Sequence, residues 1–247
     1  MLYYKAWLES RTRFLIGLGV IAALCLGLVL FHELFRSRMP TTGGMISYPD
    51  YIYLRVYGGF VRGIFLFVAL VLGLGGLNSE RARNTLTFTL ALPVRRGYLL
   101  ATRAITGLAE VALVALLPAL LIPGLSAGIG QSYLWSQSFS FFVLWVAIGW
   151  AVFAAAFLAS CLLENDYSAL TTAIIAFYFY PLVVARTPFL RPYPLHIHYI
   201  MNGTGMPYFD ARSHLFIGPM PWTILSCVTL VSFILLALAA RFSVKLE

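Results

Sequence analysis

Apolar positions along this chain gather into six long runs that are separated by more polar connections. The runs cover residues 14–31, 58–77, 98–123, 139–163, 167–185 and 219–240. A helix needs about 20 mostly apolar residues to cross a hydrocarbon core of roughly 30 Å, and each run is about that long. The pattern predicts an all-α membrane protein, a single transmembrane domain over residues 1–247 with six transmembrane helices.

The connections predict how the chain is oriented. The connections at 32–57 and 186–218 are long and lie on the same side of the membrane. Because the number of spans is even, both termini lie on the opposite side. Of the 17 Lys and Arg residues, ten lie on the terminal side and seven on the side of the long connections. This bias favours a multi-pass protein with both termini in the cytoplasm, since basic residues are enriched in cytosolic loops.

The residues before the first run have an amphipathic character. Tyr3 and Trp7 alternate with the charged Lys5, Glu9 and Arg11. This mixture predicts a short N-terminal interfacial helix in the headgroup region before the chain turns to cross. A plain extension of the first span is the alternative.

Composition agrees with a lipid environment. The chain is 61% apolar and 11% charged, whereas soluble domains carry about 25% charged residues. A net charge of +8 would suit nucleic acid, but the basic residues lie at the ends of apolar runs, which predicts membrane-lipid contacts and no nucleic acid. Cys25, Cys161 and Cys227 have no paired spacing, so neither disulfides nor a zinc site is predicted.

The connection between the second and third runs carries an unusual pattern. Leu86, Phe88, Leu90 and Leu92 are apolar in a segment predicted to be cytosolic, and Pro93 then interrupts it. Strict alternation fits a strand as well as a helix by period alone. We favour a short helix, because no neighbouring strand is expected in this fold. Packing against lipid is an alternative to packing against a partner protein.

The order of residues 78–103 resembles the first cytosolic loop of type-2 ABC exporter permeases. The shared features are an acidic and basic helix end, a turn residue, Thr-Leu, an apolar stretch, Pro-Val with a basic residue, and a basic residue opening the next helix. The resemblance implies a membrane-spanning permease subunit in the bacterial inner membrane. It would export an unidentified substrate using ATP hydrolysed by a separate subunit.

The resemblance also implies which residues act in coupling to the ATPase, through a cytosolic coupling helix between spans two and three. They are Glu80, Arg81, Arg83, Asn84, Thr85, Leu86, Phe88, Pro93, Arg95, Arg96 and Arg103. Asn84 stands where Gly is usual, and Asn tolerates left-handed backbone. Thr87 stands where an acid is common, and Arg103 where Lys is typical. A solvated helix end of the positive-inside type is the alternative for Glu80, Arg81 and Arg83.

Partners follow from what the chain lacks. It contains no Gly-x-x-x-x-Gly-Lys-Ser/Thr phosphate loop, so we predict that it is not an enzyme and that ATP and Mg are bound in the partner subunit. The chain itself is predicted to hold no cofactor. The resemblance implies two cytosolic ABC ATPase subunits and a second permease subunit, in a homodimer or a heterodimer.

Two ionisable residues inside apolar runs are candidates for a translocation path. Glu110 lies seven residues beyond Arg103 on the same predicted helix face, and Arg62 lies in the second run. Pairing with a neighbouring helix is the alternative for Glu110, and snorkelling to the headgroups is the alternative for Arg62. An ion-coupled secondary carrier that uses Glu110 and Arg103 is the alternative function.

Two further clusters have weaker signals. Glu164 and Asp166 form an acidic turn that is either a second cytosolic contact or simply solvated. The region of the second long connection contains His196, His198, His214, Met201, Met206 and Met220. These residue types bind copper and suggest a metal-handling scaffold, but without paired spacing we predict an ordinary loop and no metal site.

Overall fold

The computed structural model describes residues 2–37, 46–74, 96–163, 166–187, 197–204, 208–210 and 213–245. Its helices are α1 (Leu2–Leu30), α2 (His32–Ser37), α3 (Tyr48–Ile52), α4 (Phe60–Gly73), α5 (Arg96–Gly128), α6 (Trp135–Leu162), α7 (Asp166–Arg186), α8 (Ile197–Asn202) and α9 (Trp222–Lys245). A π-helical turn, Tyr53–Tyr57, follows α3. Strands β1 (Phe209–Asp210) and β2 (Leu215–Phe216) form an antiparallel hairpin. The predicted all-α class is confirmed apart from this small hairpin.

Within the described residues, five helices are long and apolar enough to cross a membrane. They are Leu2–Leu30, Tyr48–Gly73, Gly97–Gly128, Trp135–Leu162 and Trp222–Phe242. The remaining predicted run coincides with α7, a helix of 21 residues. That α7 also crosses, for a total of six spans, stays a prediction.

The predicted separate interfacial helix at the N-terminus is wrong. Helix α1 runs unbroken over 29 residues, because no Pro or Gly precedes Gly17 in it and its first turns pack on α5. It is about 43 Å long, and the hydrocarbon core is only about 30 Å thick. Its charged first turns can therefore lie outside the hydrocarbon without a bend.

Two other boundaries differ from the sequence prediction. The second span begins at Tyr48 instead of residue 58, and the helix axis is interrupted at Gly59, where a Cβ would lie 2.2 Å from the Leu54 carbonyl oxygen. The third span continues through Pro118 and Pro123 to Gly128. Proline is tolerated there because packed neighbours and local adjustments can satisfy the freed backbone groups of a membrane helix.

Helix α6 forms the centre of the core and contacts α4, α5, α7 and α9. Its Trp145 is 1% exposed and lies with its ring centroid 4.9 Å from that of Phe65 on α4. Gly149 lets α6 approach closely, since a Cβ there would lie 2.7 Å from Phe65 and 2.8 Å from Val111. Small residues at such contacts bring membrane helices together without a gap.

The helix ends lie on two sides of this core. We call the side with the start of α1, the end of α4 and the start of α5 the N-terminal side. The opposite side, with α2, α3, α8 and the β-hairpin, is the hairpin side. Helix α9 begins on the hairpin side, where Trp222 and Phe142 of α6 line one groove. It therefore ends on the N-terminal side, so that the start of α1 and the end of α9 lie on one side of the core.

Candidate functional site

The first turns of α1 contact the start of α5 through an ion pair. Arg103 donates from Nη2 to Oε2 of Glu9 over 2.6 Å. Lys5, one turn earlier on α1, lies 3.8 Å from the other carboxylate oxygen. The side chain of Arg103 is only 13% exposed, so solvent and salt screen this pair less than a fully exposed one. The pair links α1 to α5 at the edge of the membrane domain.

A second polar contact lies deeper between the same two helices. The Ser10 hydroxyl donates to Oε1 of Glu110 over 2.5 Å, and Glu110 is 3% exposed. Its other oxygen, Oε2, is buried and has no hydrogen-bond partner within the described ranges. The sequence prediction that Arg103 and Glu110 share a face of the third span is confirmed, because both contact α1. Since an unpaired buried polar atom costs free energy, Glu110 remains a functional candidate.

A third contact joins α1 to the end of α4. Nη1 of Arg13 donates to the carbonyl oxygen of Leu74 over 2.5 Å, and Leu74 is the residue that follows the last turn of α4. The last carbonyls of a helix lack partners inside it and carry partial negative charge, so a guanidinium is favourable there. Arg13 thus fixes the point at which the chain leaves the second span.

The same end of α4 is also held by α6. The Ser160 hydroxyl donates to the carbonyl oxygen of Gly73 at 3.4 Å and to that of Phe157 at 2.8 Å. A Cβ on Gly73 would lie 2.6 Å from the carbonyl oxygen of Phe153, so the two backbones are in close contact. Together, α1 and α6 hold the end of α4 from two directions.

These contacts define the two ends of the segment that carries the resemblance. Leu74, which precedes the segment, accepts from Arg13, and Arg103, its last residue, donates to Glu9. Glu80, Arg81, Arg83, Asn84, Thr85, Leu86, Phe88, Pro93 and Arg95 lie outside the described residues, and Arg96 begins α5. The coupling helix and the roles of these residues therefore stay predictions.

The other predicted site residues are not part of this group. Glu164 lies outside the described residues, and Asp166 is the first residue of α7. Arg62 lies near the start of α4, on the hairpin side. Its Nε and Nη1 are buried and have no hydrogen-bond partner in the part of the chain that the structure describes.

The hairpin side holds an aromatic and polar network. His214 donates from Nδ1 to Oδ1 of Asp50 over 2.8 Å, and its ring stacks on Tyr53 with centroids 4.4 Å apart. Gln137 exchanges two hydrogen bonds with the backbone of Phe216. Burial raises the pKa of the Tyr208 hydroxyl to about 12. These contacts fasten the hairpin to α3 and α6.

The histidine and methionine cluster is only partly described. His196 and Met206 lie outside the described ranges, and His214 is paired with Asp50. Across the residues that the structure describes, no three His, Cys, Asp or Glu side chains lie close enough to hold a metal ion.

Sequence reasoning missed the α1 partners Glu9, Ser10 and Arg13. A signal was present, since Lys5, Glu9 and Arg13 recur every four residues and such positions share one helix face. A charged stripe on one face of an apolar helix indicates a protein contact at the membrane edge. The positions of these charges do not indicate which helix the stripe contacts.

Comparison with known proteins assigns the chain to a family. No curated protein matches the sequence. The family model of the ABC-2 family transporter proteins matches residues 11–242, which is nearly the whole chain. This match agrees with the apolar helices that are long enough to cross a membrane. The chain therefore belongs to the ABC-2 transporter family, as a multi-pass permease of the membrane part of an ABC transporter.

Proposed function

We propose that this chain is the permease of an exporter and that segment 78–95 transmits the closure of ATPase subunits to the membrane helices. The observation that carries this proposal is that α1 holds described residues on both sides of the segment, through Arg13 on Leu74 and Glu9 on Arg103. A force applied to the segment would reach α1, α4 and α5 together. Movement of packed helices as rigid units is how such transitions usually proceed.

The proposal includes an orientation and a location. The start of α1, the end of α4, the start of α5 and the end of α9 lie on the N-terminal side, which we assign to the cytoplasm of a bacterial cell. Segment 78–95 and the larger predicted share of basic residues are then assigned to the same side. Helix α7 then provides the sixth span, since its 21 residues rise about 31 Å and the hydrocarbon core is about 30 Å thick.

The proposal also includes an assembly of two ATPase subunits and a second permease subunit. Only 28% of the apolar window of α1 and 17% of that of α9 are buried within this chain. The remaining surface of these helices faces lipid or a second permease. ATP and Mg belong to the ATPase subunits. The substrate stays unassigned, because the two larger described cavities are lined by uncharged and mostly apolar side chains.

Capture of the ATPase tests the proposal most directly. The full chain is tagged, expressed in its native cell and purified in mild detergent, with and without crosslinking. We expect a separate P-loop ATPase to co-purify, and ATP hydrolysis by the complex to be retained in liposomes. A chain that recovers no ATPase under either condition would contradict the proposed function.

An ion-coupled carrier is the second candidate, because Glu110 is buried and its Oε2 has no hydrogen-bond partner among the described residues. Under our proposal, Glu110→Gln changes ATP hydrolysis by the complex less than about twofold, because the amide oxygen still accepts from Ser10. The measurement is ATP hydrolysis together with proton flux, read from a pH-sensitive dye inside liposomes. Proton flux through the wild-type chain that Glu110→Gln abolishes would favour the carrier instead.

A further inference from the structure

Arg62 is a charged side chain within the second of the long apolar helices, Tyr48–Gly73. It lies in the first turn of α4, which continues beyond it for a rise of about 17 Å. Phe65, one turn further along, packs on Trp145 at the centre of the core, with ring centroids 4.9 Å apart. The first turn also sets Arg62 against the positive end of the helix dipole. Arg62 is therefore inside the hydrocarbon core of roughly 30 Å, where a charge is costly and is usually retained for a function.

The guanidinium of Arg62 is directed into the protein. Its Nε and Nη1 are buried, and neither has a hydrogen-bond partner in the part of the chain that the structure describes. An arginine that snorkels to the headgroups would carry these nitrogens to the surface instead. Nη2 is not among the buried atoms, and the side chain as a whole is half-buried, so the edge formed by Nη1 and Nη2 can be reached from outside. The group therefore offers unused donors that a ligand can approach.

No carboxylate on the hairpin side balances this charge. The two long connections contain three acidic residues, Glu33, Asp50 and Asp210. Asp50 is paired with His214. Asp210 accepts two hydrogen bonds from Ser213, and Glu33 is exposed on α2. A buried charge without a counter-charge is strongly unfavourable, so the counter-charge of Arg62 has to come from outside the chain.

Tyr53 and helix α8 form polar surroundings for the guanidinium. The Tyr53 phenol interacts electrostatically with Arg62, and it donates to the carbonyl oxygen of Asn202 over 3.3 Å. The side-chain Oδ1 of Asn202 is also buried and has no hydrogen-bond partner within the described ranges. Because buried polar groups normally find partners, two unsatisfied groups beside one tyrosine indicate a ligand or ordered water at this place. Water completes hydrogen bonds, but only an anion also balances the charge.

The two unsatisfied groups define the chemistry of the ligand. Arg62 offers donors and a positive charge, so the ligand must carry negative oxygen atoms. Oδ1 of Asn202 is an acceptor, so the same ligand must also offer a hydrogen. An ionised carboxylate only accepts hydrogen bonds. A phosphate monoester, whose second pKa is about 6, can keep one P–OH group beside its negative oxygens and so meets both requirements.

We propose that Arg62 and Asn202 form a binding site for a phosphate group on the hairpin side of the core. Nη1 and Nη2 of Arg62 hold the negative oxygens, since a guanidinium edge matches two oxygens of one phosphate. The P–OH group donates to Oδ1 of Asn202. Two kinds of molecule carry such a group, the headgroup of a bilayer lipid and a phosphorylated substrate. When the carrier is the exported substrate, the inference rests on the proposed function.

Thermal unfolding of the full chain in an uncharged detergent tests the site. Sodium phosphate or dihexanoyl phosphatidic acid is added in steps at constant ionic strength, with sodium chloride as the blank. We expect a saturable rise in the unfolding temperature, because a ligand that binds only the folded chain stabilises it. In Arg62→Met the apparent dissociation constant should rise at least about tenfold, the effect of losing one charge-assisted hydrogen bond.

Arg186→Met is the matched control, because it removes the same charge at an exposed position at the end of α7. Its apparent dissociation constant should equal that of the wild-type chain. Without phosphate, Arg62→Met should unfold at or above the wild-type temperature, since Met replaces an unbalanced buried charge by an apolar chain. Arg62→Lys is used in its place if that variant does not fold, with the same expected loss, because Lys keeps the charge without the guanidinium edge.

The two probes distinguish the carriers of the phosphate. Saturation by sodium phosphate indicates a soluble phosphorylated molecule, and saturation by the phosphatidic acid alone indicates a lipid headgroup. No saturable rise with either probe, or an equal rise in Arg62→Met and in the wild-type chain, would overturn the site, and ordered water would then fill it. That result leaves capture of the ATPase unchanged, so the proposed function is tested separately.

Discussion

Simultaneous replacement of Leu86 and Phe88 by Asp should remove the ATPase from the purified complex while the chain still inserts. Both side chains are apolar in a segment that we place in the cytoplasm, and burying each against a partner contributes about 1.5–3 kcal/mol. Losing both burials and introducing two charges weakens binding by at least about a hundredfold. The measurement is the ratio of ATPase to permease after purification, with ATP hydrolysis as the second readout.

Thr87→Asp is the matched control for this prediction. It adds a negative charge between the two apolar positions, where the resembling permeases commonly carry an acid. We expect the ATPase to co-purify with this variant at the wild-type ratio. If the double variant also retained the ATPase and its hydrolysis, the segment would not be the contact, and packing against lipid would explain its apolar side chains.

Reversing the charge of Arg103 should impair coupling without releasing the ATPase. In Arg103→Glu two carboxylates meet where Glu9 and Arg103 now pair over 2.6 Å. Like charges about 4 Å apart in a partly shielded site repel by up to about 4 kcal/mol, and rotation of the side chains relieves part of this. We expect stimulated ATP hydrolysis by the complex to fall about tenfold at unchanged ATPase co-purification.

The double reversal Glu9→Arg/Arg103→Glu should restore most of the lost hydrolysis, because the pair is rebuilt with opposite polarity. Lys5→Glu is the control, since it changes net charge equally at a 38% exposed site, where a pair contributes at most about 1 kcal/mol. A double reversal no better than Arg103→Glu would mean that the two side chains do not act through each other. Loss of the ATPase in Arg103→Glu would instead assign Arg103 to direct contact.

The spans themselves could be predicted closely from the sequence, and their boundaries less well. The run at 139–163 corresponds to α6 to within a few residues, because a long apolar stretch reports burial in lipid directly. The predicted third run stops at residue 123, yet α5 continues through Pro123 to Gly128. Proline removes one hydrogen bond, and whether the helix survives depends on neighbours that the local sequence does not reveal.

The candidate site was likewise only partly predictable from the sequence. The resemblance pointed to Arg103, and Glu110 was identified as an ionisable residue inside an apolar run; their spacing of seven predicted a shared helix face. Their partners Glu9 and Ser10 were not identified, since these lie 94 and 100 residues away along the chain. Nothing in the pattern of either helix specifies the other as its neighbour.

The sequence by itself determined that the chain contains long apolar stretches suited to a membrane and that segment 78–103 resembles a coupling loop, because both are properties of contiguous residues. Only the tertiary structure decided that α1 is one continuous helix, that it contacts Leu74 before that segment and Arg103 at its end, and that a cavity remains beside α6. These features depend on side chains from separate helices meeting in space. Their stability comes from packing and hydrogen bonds formed across helices, which no local pattern encodes.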